Sequence, residues 1–118
     1  MWIRIAALLG ATGVVLGAFG AHALRARLEP AQLASWSTAV HYQLFHAVAL
    51  LAIALWTEAS SRSLGPTPWL FALGILLFAG SIYALVLTPW RWLGPVTPIG
   101  GLLLIAGWLS LLWTARAS

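Results

Sequence analysis

The sequence predicts an all-α fold: a polytopic membrane protein in which residues 1–118 form one domain, a compact bundle of four transmembrane helices. Three observations predict it. Hydrophobic residues make up 62% of the chain and charged residues 7%, with a mean hydropathy of +0.96, whereas soluble domains carry about 25% charged residues. Four apolar stretches, separated by short polar junctions, each approach the roughly 20 residues needed to cross a hydrocarbon core of about 30 Å. Finally, tryptophan gathers at the ends of those stretches, as expected of a ring that favours the membrane–water interface.

The elements follow in order, with spans at roughly 2–24, 33–57, 69–88 and 97–114 on that length criterion. The first has no charged residue from Ile5 to Ala21 and stops at Arg25 and Arg27. Arg4, the apolar run and Ala21-His22-Ala23 also mimic a secretory signal with its cleavage site, although a Gly-rich stretch of this length reads better as a span. Glu29-Pro30 opens the second helix, because proline is tolerated in a first turn where its missing N–H matters least. This helix begins polar, with Gln32, Ser35, Ser37, Thr38, His41 and Gln43, and turns purely apolar from Ala47 to Trp56. It is longer than a bilayer requires, so its first turns should leave the core or pack on another helix. Glu58 to Thr67 is a polar loop, with Pro66 and Pro68 marking the third helix. Pro89, Arg91, Gly94 and Pro95 form a tight connection, Thr97-Pro98 reads as a helix cap followed by Pro, and Arg116 closes the fourth span.

This layout puts Trp2, Trp56, Trp69 and Trp113 at one interface and Trp36, Trp90 and Trp92 at the other, leaving Trp108 inside a span. Orientation stays open: Arg4, Arg62 and Arg116 lie on the terminal face and Arg25, Arg27 and Arg91 on the opposite one, a tie under the positive-inside rule.

Helices in lipid associate through close backbone approach at small residues. The expected packing positions are Gly10, Gly13, Gly17 and Gly20 in the first span, Gly80 with Ala84 in the third, and Gly100, Gly101 and Gly107 in the fourth.

Composition excludes several chemistries. With no cysteine, disulfides, thiolate metal sites and Cys nucleophiles are ruled out. Neither carboxylate, Glu29 or Glu58, lies in a span, whereas proton-coupled transporters usually need one there. The net charge of +4 comes from arginines scattered singly through loops and ends, which fits lipid headgroups rather than nucleic acid. No nucleophile–base set, phosphate loop or metal motif appears, so no catalytic residue, metal or cofactor is assigned and an enzyme has no positive support.

Ionisable and polar groups inside spans are expensive and therefore functional candidates. They are His22, His41, Tyr42, Gln43, His46, Ser81 and Tyr83. Since the first helix leaves the membrane where the second enters, His22 and His41 are expected at similar depth. Tyr42, Gln43 and His46 share a helix face, whereas His41 lies about 140° from His46. The residues leave several readings open: a quinone or lipid-headgroup pocket, a haem held by His22 with His41 or His46, a metal site, or plain interhelical hydrogen bonding.

Gly17-Ala-Phe-Gly-Ala-His-Ala-Leu24, Thr38-Ala-Val-His-Tyr-Gln-Leu-Phe-His46, Gly80-Ser-Ile-Tyr83, Thr97-Pro-Ile-Gly-Gly101 and Ala106-Gly-Trp108 together resemble domain of unknown function 423. These are the YgdD-like bacterial inner-membrane proteins, to which a small mitochondrial transmembrane protein of animals is also similar. The resemblance runs through all four spans and excludes the loop from Glu58 to Pro68. It implies a multi-pass protein of the bacterial inner (plasma) membrane with no catalytic residues to carry over, and a signature that includes all seven polar candidates together with Pro98 and Trp108.

The leading expectation is therefore a non-enzymatic accessory or assembly subunit, or a lipid- or quinone-binding bundle. Its partners would be membrane lipids, with another membrane protein or further copies of the chain as options and no nucleic acid. The alternatives are a small oligomeric transporter or channel and a histidine-dependent enzyme or haem protein.

Overall fold

The computed structural model describes residues 1–114, and among them four α-helices: α1 (Trp2–His22), α2 (Pro30–Ser60), α3 (Thr67–Leu87) and α4 (Val96–Thr114), with a single 3-10 turn at Arg91–Leu93 before α4. Arg116 lies outside the described residues. All four helices are long and apolar enough to cross a membrane.

The helix starts follow from local chemistry. Glu29 is extended, Pro30 takes the first helical position, and the Glu29 N–H donates to Gln32 Oε1 at 3.0 Å, which satisfies a backbone donor that the helix itself leaves free. Pro66 and Pro68 flank the first residue of α3. α2 ends at Ser61 with φ of 55°, a left-handed residue that turns the chain out of the helix. The start of α4 departs from expectation. The helix already includes Val96 and Thr97, and the Thr97 hydroxyl caps nothing: it lies 2.5 Å from Ser81 Oγ on α3.

Neighbours in sequence are neighbours in space: α1 packs on α2, α2 on α3 and α3 on α4. The bundle is flattened, with Cα extents of 49 × 26 × 18 Å. Glycine sets the register of the antiparallel α1–α2 pair. A Cβ at Gly13 would meet Leu44, one at Gly17 would meet Val40, and one at Gly20 would stand 2.5 Å from the Trp36 indole. On α3–α4 the corresponding contacts are Gly74 with Leu104, Gly107 with Phe71, and Gly100 directly against the backbone of Leu77 and Phe78.

Two expected packing glycines make no such contact. A Cβ at Gly10 or Gly80 would meet nothing within 4 Å. Gly10 is three residues from Gly13, so it lies roughly 60° around the helix, and Ala6 and Leu9 take the buried positions instead. Gly80 is exposed, one position short of buried Ser81. Gly101 has ordinary contact with the Phe78 ring at 3.6 Å.

The core has two parts. Toward the chain's terminal face, Ala6, Leu9, Leu50, Ile53, Phe71 and Ile75 form an apolar cluster from α1, α2 and α3, joined by Leu104 of α4. Toward the opposite face, Leu24, Trp36 and Val40 form a second cluster with Tyr83 packed against it. Trp36, at that end of the bundle, thus faces α1 instead of the lipid headgroups. It is 2% exposed, and its indole N–H donates to Leu16 O on α1 at 2.8 Å. Trp56, Trp69, Trp90, Trp92 and Trp113 are exposed, with Trp90 stacked on Trp92 at 6.5 Å, while Trp2 is half-buried and edge-on to Trp69 at 4.9 Å.

Candidate functional site

Gln43 is the polar centre of the molecule. It lies ten residues inside Leu33 and thirteen from Trp56, which at 1.5 Å per residue is roughly 15–20 Å from either end of the span, near mid-membrane. A primary amide at that depth is tolerable only if its donors and acceptor are used. Here they are. Nε2 donates to Leu9 O at 2.9 Å and to Thr12 Oγ1 at 2.8 Å, while Oε1 accepts from the Tyr83 hydroxyl at 2.7 Å. One side chain, 4% exposed, thereby ties α2 to α1 and to α3. The Tyr83 ring also packs on Trp36, with centroids 4.7 Å apart.

His46 lies one turn further along α2 and faces α4. Its Nε2 is 3.0 Å from the Trp108 indole N–H, and its Nδ1 is 2.8 Å from Tyr42 O. An indole can only donate and a carbonyl can only accept. The ring must therefore be neutral, with its proton on Nδ1 and its lone pair on Nε2. Both nitrogens are occupied, and Phe71 and Trp108 close around the ring at centroid distances of 5.6 and 5.8 Å. As placed, His46 offers neither a free base nor a ligating lone pair.

The other histidines do not join it. His41 is exposed and lines a separate groove between α1 and α2, while His22 is exposed in the last turn of α1. Nor do they share a depth. Since Gly20 meets Trp36 and Gly17 meets Val40, His22 lies level with the start of α2, roughly 9 Å along the axis from His41. No pair of histidines converges, so the geometry lacks the opposed imidazoles that a haem, or the shared cavity that a histidine-dependent enzyme, would require. Ser81 is buried and paired with Thr97 of α4 rather than with His46.

Sequence reasoning missed Thr12, Trp36, Thr97, and the Thr67–Ser110 pair, whose hydroxyls lie 2.5 Å apart across α3 and α4. A signal for the last was present: Thr67, Gly74 and Ser81 recur every seven residues and all face α4. Among the described residues no buried side-chain nitrogen or oxygen lacks a partner. These bonds are spent pairwise between helices, and the apolar cluster around Leu50 and Phe71 separates the polar centre from the terminal face.

What remains open is a groove of about 750 Å³ between α2 and α4, lined by Tyr42, Phe45, His46, Phe78, Leu104, Ile105 and Trp108 with Pro98, Gly101 and Leu102. Tyr42 is 45% exposed and stacks on Phe78 with centroids 4.6 Å apart. Among the described residues its hydroxyl has no hydrogen-bond partner.

Comparison with known proteins agrees with this architecture. A family model described as "Protein of unknown function (DUF423)" matches residues 16–101. A UPF0382 membrane protein of Staphylococcus haemolyticus is 43% identical over 112 residues, covering 95% of this chain and 92% of its own. One of Schizosaccharomyces pombe is 45% identical over 116 residues, covering 92% and 96%, and one of Haemophilus influenzae is 42% identical over 112, covering 93% and 89%. No solved structure matches. The chain belongs to the DUF423 family and is a four-helix, polytopic membrane protein.

Proposed function

We propose that this protein is a non-enzymatic bundle of the inner (plasma) membrane that holds a ring-bearing amphiphile of the isoprenoid quinone class in the groove between α2 and α4. The observation that supports this most is the groove's composition at its depth. Four aromatic side chains, Tyr42, Phe45, Phe78 and Trp108, line it, and the Tyr42 hydroxyl is the polar group in the lining left without an internal partner. Flat rings stack favourably on such a surface, and a quinone carbonyl would accept from Tyr42. A phospholipid headgroup does not suit the site, because Tyr42 is one residue from the mid-membrane Gln43 and headgroups stay at the surface. His46 contributes shape rather than chemistry, since both its nitrogens are already bonded.

The test is purification in native-lipid discs, extraction of bound amphiphiles, and titration with a short-chain quinone read by tryptophan quenching. The proposal expects a co-purifying quinone, and quenching that Tyr42→Phe weakens by about five-fold, as befits one hydrogen bond of about 1 kcal/mol. Trp108→Phe should remove most of the quenching amplitude. A ligand-free protein whose quenching is indifferent to both substitutions would overturn the reading.

A further inference from the structure

A second groove, of about 390 Å³, runs between the C-terminal half of α1 and the start of α2. It is independent of the quinone groove and its lining differs in kind. Arg25, from the loop that follows α1, stands at its outer end; Ser37 and His41 line it about two and three turns into α2; Leu33, Val40 and Gly17 supply apolar wall. Arg25, Ser37 and His41 are all exposed, and among the described residues the Arg25 and His41 side chains have no hydrogen-bond or ion-pair partner. This end of the bundle carries Arg25, Arg27 and Arg91 against the single carboxylate of Glu29.

We infer that this groove seats an anionic phospholipid. Three features place the lipid's parts in order of depth. The guanidinium at the membrane surface matches a phosphate, which arginine binds through a planar fork of donors. Ser37, four residues inside Leu33 and so roughly 6 Å along the axis, sits below Arg25 where an ester carbonyl of a seated lipid requires a donor, and His41, one turn deeper, lies beside the upper acyl chain. Gly17 then leaves the floor low beside Val40, so an acyl chain can lie along α1. The net positive charge at this end favours an anionic over a zwitterionic headgroup.

The experiment is native mass spectrometry of the full chain released from detergent after incubation with equal amounts of phosphatidylglycerol and phosphatidylcholine. One phosphatidylglycerol should be retained in preference, by about five-fold, the discrimination expected of a single cation near the surface. Arg25→Gln should bring the ratio close to one, and Ser37→Ala should shorten retention of both lipids. Arg91→Gln, on the same face but outside the groove, should leave the preference intact. Inorganic phosphate should not compete; competition at low millimolar concentration would assign the site to a free anion and overturn the proposal. Equal retention of the two lipids by the wild type, or an effect of Arg91→Gln as large as that of Arg25→Gln, would do the same by reducing the site to diffuse surface charge. Arg25 is an exposed loop residue, so its substitution tests the groove without threatening the fold.

Discussion

The two antiparallel pairs, α1–α2 and α3–α4, both use glycine, but what stands opposite it differs at one position. On α1–α2 the neighbours of Gly13, Gly17 and Gly20 are side chains: Leu44, Val40 and Trp36. On α3–α4, Gly74 and Gly107 likewise meet side chains, Leu104 and Phe71, but Gly100 faces the main chain of Leu77 and Phe78. The polar bonds divide the same way. α1 is held to α2 by an amide and an indole donating to backbone carbonyls, whereas α3 and α4 are pinned by hydroxyl pairs near both ends, Thr67–Ser110 and Ser81–Thr97. One interface is adaptable along its length and specified by direction; the other is fixed at Gly100 by backbone proximity.

That contrast can be broken experimentally, most severely at Gly100. Gly100→Ala puts a methyl onto backbone that cannot rotate away, and should cost about 3 kcal/mol in unfolding by steric trapping, at the upper end of overpacking effects. Gly13→Ala meets the movable end of Leu44 and should cost about 1 kcal/mol on the same scale; equal losses at the two sites would erase the distinction. Gln43→Leu removes the amide that joins three helices. With interhelical bonds in membranes averaging about 0.6 kcal/mol each, about 2 kcal/mol is expected, and Tyr83→Phe in the Gln43→Leu background should add little. Trp108→Phe deletes the bond to His46 and trims the ring packed on Phe71, and should cost about 1 kcal/mol, measured as a shift in the SDS fraction at half-unfolding. Gly80→Ala, opening onto empty space, should fall within about 0.5 kcal/mol of neutral and lean stabilising, because a helix gains from alanine over glycine.

The family, the all-α class and the four membrane helices were legible because hydropathy, proline position and tryptophan placement are local properties of the chain. The pairing of side chains was less so. Trp36 reads as interfacial by its place near the start of a span, yet Gly20 opens a slot that draws it inward, and only knowledge of which helix faces α2 could reveal that. The same holds for Thr97, whose sequence context is that of a cap until Ser81 is set beside it. Counting glycines alone hid the Thr67–Gly74–Ser81 stripe, since two of its three small residues are hydroxylic. The grouping of Tyr42, Gln43 and His46 was visible from spacing, but spacing cannot say that Gln43 turns toward α1 and α3 while His46 turns toward α4.

The Gln43 amide also bears on the order in which the protein is built. Its two donor bonds go to Leu9 and Thr12 on α1, which precedes it in the chain, and its acceptor bond comes from Tyr83 on α3, which follows. During synthesis, α1 and α2 can close as a hairpin with the nitrogen already bonded and the oxygen still open. That open carbonyl in the lipid interior is a directional handle for the next helix to arrive, so the least soluble residue of the nascent hairpin is also the one that selects α3 as its neighbour.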